Sequence, residues 1–290
     1  MIGVAEVTSA LVAAPPTPVD DGVRARLGDD LSARIAPLAE CLPPGEQIVV
    51  TLPTLRQALV RPDSLMQPDE PFAWKPVFVR RSLGLEVVNA CATRRFRAPA
   101  DAVGPVADEA VSDWERTGWR RFYWEPWLAG LAPGSRAMVF AEAVSWATAL
   151  WSSLDWTVFS PPPHIGGTDD QWTCPAARSV RLKGRCEVRV PLAHEPTSTG
   201  GENSVASPTA LVSLSSGCPG PTWAEELAYL AMVAGLRSPA RPVPARVVGL
   251  WPDAGEYRVA EVGDQLLAAA ADRTVATVRA IADAVSPTDA

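Results

Sequence analysis

The hydrophobic and polar positions of this chain change period several times, and each change predicts an element. From residue 181 to 190 they alternate. Arg181, Lys183, Arg185, Glu187 and Arg189 fall on one side, and Leu182, Cys186, Val188 and Val190 on the other. A period of two over ten residues predicts a strand with one buried face. Residues 210–217, ALVSLSSG, form a short β-branched apolar run closed by a glycine, the pattern of an interior strand. Behind Thr222, a candidate N-cap with Glu225 in the capping-box position, Leu227, Leu230, Met232 and Val233 give a helix its apolar surface. Strand, strand and helix therefore follow one another within residues 181–233.

The remaining periodicities surround that unit. Residues 23–42 predict an amphipathic helix stopped by Pro43-Pro44-Gly45, 48–52 a strand, and 54–60 a short helix. Residues 77–81 predict an extended entry. A helix is expected from Pro105, a residue suited to a first turn, to about residue 117. Another follows over 136–154, then a strand over 156–160 and a loop holding His164. Two strands, 245–251 and 257–262, are joined by a Pro-Asp-Ala-Gly turn, and a helix over 264–285 closes the chain. Residues 1–20 read as a loose lead-in and 61–72 as a linker or surface loop. The class this predicts is α/β, a mixed central sheet flanked by helices.

Composition narrows the reading. The 290 residues have room for one large domain or two small ones, each with a real core. The net charge of −7 gives no global attraction to nucleic acid, so binding to DNA needs a local basic patch. The densest basic stretch carries Arg80, Arg81, Arg94, Arg95 and Arg97. Either it is a solvated face, or it contacts phosphates. Seven of the eleven tryptophans lie between 114 and 156, a pattern that suits a core or helix seam better than a base-stacking platform. The five cysteines are scattered, with no C-x-x-C pair, which predicts reduced thiols and a cytoplasmic protein. The N-terminal residues lack the basic start of a secretory signal, and no apolar run is long enough for a membrane span. His164 and His194 have no partner spacing for zinc. Neither a nucleophile elbow nor a Walker lysine is present.

Four short motifs occur in order. Gly184-Arg185-Cys186-Glu187 places an acid after a strand glycine. Ser213-Leu214-Ser215-Ser216-Gly217 ends the next strand. Glu225 and Tyr229 are spaced i, i+4 on the helix, and Gly104 and Asp108 have the same spacing upstream. Together they resemble the RecB-type branch of the PD-(D/E)XK nuclease superfamily over roughly residues 80–286. That branch has a glycine-containing strand with a first acid, a D-x-K strand, a Q-x-x-x-Y helix and an upstream G-x-x-x-H. The resemblance implies a restriction-endonuclease-like fold over residues 76–290, with residues 1–75 as an N-terminal addition. It also implies departures. Ser213 stands for the second acid, Ser215 for the lysine, Glu225 for glutamine and Asp108 for histidine.

A site of that kind needs two carboxylates for Mg²⁺ and a lysine to support the attacking water. Glu187 alone would hold a metal weakly. Lys183 shares its strand face but lies roughly 13 Å along the strand. The expectation is therefore a catalytically inactive pseudonuclease. Its vestigial positions are Asp108, Glu187, Ser213, Ser215, Glu225 and Tyr229. It would have no cofactor, no iron–sulfur cluster, and Mg²⁺ only if the site were rebuilt. Such a protein would act as a DNA-binding or scaffolding subunit of a DNA-processing or defence complex, with Arg80, Arg81, Arg94, Arg95 and Arg97 on DNA. The alternatives are an active nuclease rebuilt around Glu187, using Glu225, Asp108 or Glu109, and a protein–protein module without a nucleic-acid role.

Overall fold

The computed structural model describes residues 4–13, 19, 21–61, 65, 73–159, 162–192, 209–237 and 242–285. The expected linker at 61–72 falls mostly outside them, and His194 wholly so. The elements are α1 (Val4–Val12), α2 (Asp21–Glu40), β1 (Ile48–Val50), α3 (Leu52–Val60), α4 (Pro76–Ala92), α5 (Pro99–Thr117), α6 (Glu125–Ala129), α7 (Pro133–Trp151), β2 (His164–Thr173), β3 (Val180–Pro191), β4 (Thr209–Leu214), α8 (Trp223–Leu236), β5 (Arg246–Trp251), β6 (Glu256–Glu261) and α9 (Asp264–Val285).

The sheet is mixed. β3 pairs antiparallel with β2 along one edge. On its other edge it pairs parallel with β1 at residues 180–182 and antiparallel with β4 at 188–191. β4 and β5 run parallel across the α8 crossover, and β5–β6 is an antiparallel hairpin. Two apolar clusters fill the two faces. One joins Val188, Val190, Val212 and Leu250 to α4, α5 and α7. The other joins Leu182, Cys186, Leu211 and Val247 to α2, α8 and α9. The chain is thus α/β, with helices on both sides of one sheet. The segment before residue 75 builds onto that sheet through β1, and Val7, Leu11, Leu31 and Ile35 enter its clusters.

The alternation along β3 changes sides at Glu187. Leu182 and Cys186 face the α8 cluster, whereas Val188 and Val190 face the α4 cluster. Beside this point β2 sets Gly166 and Gly167 opposite the single residue Glu187, because Ile165 pairs with Val188 and Thr168 with Cys186. Two residues facing one is a β-bulge, which re-aims side chains. Both glycines have positive φ, and a Cβ on Gly167 would stand 2.6 Å from the Nε of Arg185. Gly184 lets α8 close on the sheet, since a Cβ there would lie 3.2 Å from Leu230.

Several expectations are corrected. Residues 77–81 open α4 rather than running extended. Pro76 at the first helical position starts the helix, and Val79, Leu83, Leu85, Val87 and Val88 are buried along it. α5 begins at Pro99, not Pro105, which lies inside the helix. Residues 156–158 form a 3-10 turn instead of a strand, because the Asp155 carboxylate accepts the Thr157 N–H at 3.0 Å. His164 is not in a loop. It begins β2, a polar ten-residue strand that carries little apolar signal; it pairs with β3 along its length and buries Ile165, Trp172 and the Asp170 carboxylate, which Arg189 and Arg237 match. The expected capping box at Thr222 does not form, as the Thr222 hydroxyl bonds Glu226 at 2.7 Å.

Candidate functional site: the Glu187 cleft

Between its stretches paired to β1 and to β4, β3 leaves residues 183–187 free of both strands on that edge. A cleft of about 920 Å³ opens there. Glu187, Lys183 and Arg185 from β3 line it, with Ser213 and Ser215 from β4. α3, α4 and α8 contribute Arg56, Arg81, Thr222 and Glu226.

Glu187 is 5% exposed, so its charge must be matched inside the protein. One carboxylate oxygen accepts from the Arg81 guanidinium, and the other accepts the Leu214 N–H at 2.9 Å. The same Arg81 nitrogen donates to the Leu214 carbonyl at 2.5 Å. Arg81 thus locks the start of α4 to the end of β4 through the carboxylate on β3. The Ser213 side chain is buried beside this clamp and Ser215 is half-buried. The neighbouring Cys186 thiol is pushed well up, first by burial and then by the Glu187 charge, so it stays protonated at neutral pH. Among the described residues no group of three His, Cys, Asp or Glu side chains is placed to hold a metal ion.

Tyr229 is buried under the strand edge rather than in the cleft. Its hydroxyl bonds the Val50 carbonyl at 2.7 Å and accepts the Lys183 N–H at 3.2 Å, stitching β1 to β3 where their ladder ends. Burial raises its phenol far above the ordinary value. Glu225 lies on another side of α8, in a groove toward α9. Its neighbour Glu226 faces the cleft, held by Arg56 through two bonds of 2.8 and 2.5 Å. Asp108 pairs with Arg136 of α7 and Glu109 with Arg95, and neither lines the cleft. Of the six positions suggested by the motifs, Glu187, Ser213 and Ser215 share the cleft.

The five arginines are divided by α4. Arg80 approaches Asp253 at 3.6 Å, and Arg81 is engaged by Glu187. Arg94, Arg95 and Arg97 lie beyond the other end of the helix, roughly 20 Å away at 1.5 Å per residue. Of the exposed cations of the cleft, Arg56 is held by Glu226, and those that form no ion pair with a described residue are Lys183 and Arg185. The sequence carried a signal for them, since both fall on the polar side of the β3 alternation. Arg56 and Glu226 carried none, because their pairing joins segments 170 residues apart.

Sequence reasoning also missed a second acidic cluster. Glu86, Glu125 and Arg121 line a cavity of about 660 Å³ between α4 and α5. Glu125 is 1% exposed; one of its oxygens accepts the Phe122 N–H at 2.9 Å. Its other oxygen has no partner among the described residues. The Glu86 carboxyl is raised by burial, against the opposing pull of Arg121 at 3.6 Å.

No family model and no curated protein matches the chain. Among the described residues no helix is long and apolar enough to cross a membrane.

Proposed function

We propose that this chain is a catalytically inactive pseudonuclease of the RecB-like PD-(D/E)XK kind, acting as a DNA-binding or scaffolding subunit of a DNA-processing or defence complex. The observation that carries the reading is the Arg81–Glu187–Leu214 clamp. The acid that would hold the first metal ion already has both oxygens bonded, one of them to a fixed cation. Ser213 and Ser215 bring hydroxyls where a carboxylate and an ammonium are needed. The order β3, β4, α8 and the meeting of Glu187 with residues 213 and 215 in one cleft support a restriction-endonuclease-like fold. Lys183 and Arg185 are the exposed cations that would meet a phosphate backbone there.

Mg²⁺- or Mn²⁺-dependent cleavage of single- and double-stranded DNA is expected to be absent, and Glu187→Ala is expected to have no catalytic phenotype. Robust cleavage lost in Glu187→Ala would overturn the reading. Binding to DNA is expected to weaken as salt rises, and Lys183→Glu with Arg185→Glu is expected to remove the part of it made in the cleft, lowering affinity for duplex DNA at least about tenfold. A second reading, a protein–protein module, is favoured by Val60, Val77 and Phe78, apolar side chains exposed on the same cleft. Absence of salt-dependent DNA binding selects that reading.

A further inference from the structure

α4 ends in a way that favours glycine. The Arg95 N–H reaches the Ala90 carbonyl at 2.9 Å and the Arg94 N–H reaches that of Cys91 at 2.9 Å, which is the Schellman pattern. The residue at its left-handed position is Arg94, with φ of 60°. A non-glycine residue there works against stability, and such strain recurs where a side chain has a job. Arg94 and Arg97 are exposed, pair with no acid among the described residues, and line a pocket of about 590 Å³. Its walls are aromatic. Trp151 stacks on Trp156 with ring centroids 5.5 Å apart, Phe159 meets Trp156 edge-on, and Phe96 lies between the two arginines in sequence. Among the described residues no acidic side chain lines it. The volume is in the range of small-molecule sites.

Two unpaired guanidiniums recognise a phosphate, and aromatic faces recognise a planar base. We propose that this pocket binds a mononucleotide unit, its phosphate on Arg94 and Arg97 and its base against Trp151 and Phe96. The site lies at the opposite end of α4 from the Glu187 cleft and does not depend on the function assigned to that cleft.

The test is titration calorimetry of the full chain with thymidine monophosphate, thymidine, inorganic phosphate and a short oligothymidylate. Thymidine monophosphate binds, and thymidine or phosphate alone binds at least about tenfold more weakly, because each carries half of the recognition. Arg94→Gly separates this role from a structural one. Glycine suits the left-handed position, so Tm rises by roughly 2–4 °C while nucleotide affinity falls at least about tenfold. Arg97→Ala lowers affinity with little change in Tm. Lys183→Glu with Arg185→Glu leaves nucleotide affinity unchanged, which separates this site from the cleft. Tighter binding of the oligomer than of the mononucleotide assigns the pocket to a nucleic-acid strand, and the reverse order to a free nucleotide; both support the proposal. No binding by either, or affinity unaltered in Arg94→Gly, overturns it.

Discussion

One helix, α4, serves two clusters of buried carboxylates, and the two differ in how their charge is met. At Glu187 every carboxylate oxygen has a donor, from Arg81 and from the Leu214 main chain. In the α4–α5 cavity Glu125 leaves one oxygen without a partner among the described residues, and Glu86 has the largely exposed Arg121 at 3.6 Å. A buried carboxylate with full partners rigidifies its surroundings, whereas at Glu86 burial outweighs the distant cation and raises the carboxyl. The first cluster is therefore a structural clamp built from residues that look catalytic. The second is a strained polar cavity built from residues that attract no attention in the sequence.

The largest expected effect comes from breaking the clamp. Arg81→Met leaves the Glu187 carboxylate buried with its Leu214 bond alone. Removing one partner of a buried pair typically destabilises by 3–5 kcal/mol. The Arg81 side chain is 36% exposed, which brings the expected loss down to about 2–3 kcal/mol in urea unfolding. Arg81→Met combined with Glu187→Leu removes both charges and is expected to recover most of that loss, since apolar replacement of a whole pair is often neutral. A loss below about 0.5 kcal/mol in Arg81→Met would mark the pair as an ordinary surface contact.

A smaller effect is expected one turn of structure away. Tyr229→Phe keeps the ring packed and removes the hydroxyl that joins Val50 to Lys183. The loss is expected near 1–2 kcal/mol, because a buried carbonyl and an N–H are left without that partner. Amide exchange at Lys183 localises it. Faster exchange there, with the rest of β3 unchanged, shows that the hydroxyl holds the edge of the cleft. Unchanged exchange would remove Tyr229 from the account of how the cleft is shaped.

How much of this was legible in the sequence depended on the kind of signal. β3, β4, the β5–β6 hairpin and α9 declared themselves through period and end signals, and α8 through its apolar run alone, since the expected capping box at Thr222 does not form. β2 did not, because its few buried side chains, Ile165, Asp170 and Trp172, are scattered through a polar, glycine-bearing run, and Asp170 is matched by Arg189 and Arg237 from other segments. Residues 77–81 misled because three apolar residues in a row fit a strand as well as the buried start of a helix. Glu187 stood out as a candidate, but its burial and its partners, Arg81 from α4 and the Leu214 N–H of β4, come from segments far away in the sequence. The arginines were counted as one patch because sequence distance hides the length of α4. Arg81 is bound inside the protein, and Arg94 and Arg97 remain exposed some 20 Å away.

The smallest expected effect tests the other half of the comparison and depends on pH. Burial is the first cause of the raised Glu86 pKa, and Arg121 opposes it only in part. A carboxyl whose folded pKa is above its unfolded value holds its proton more tightly in the native state. That contribution is fully present below the unfolded value and is lost as pH rises through the folded one. At neutral pH the ionised Glu86 therefore works against folding. Glu86→Gln removes the charge and is expected to raise stability at neutral pH, with the gain shrinking as pH falls toward the ordinary glutamate range. Glu187→Gln is expected to do the reverse at neutral pH, because it leaves Arg81 facing a neutral amide. Melting curves of the Glu86→Gln variant from about pH 4 to 8 read its sign and its pH dependence, and a melting curve of Glu187→Gln at neutral pH gives the opposite sign. A Glu86→Gln variant that is less stable than the parent at neutral pH, or whose gain does not change with pH, would show that the cavity carboxylate is as well matched as Glu187.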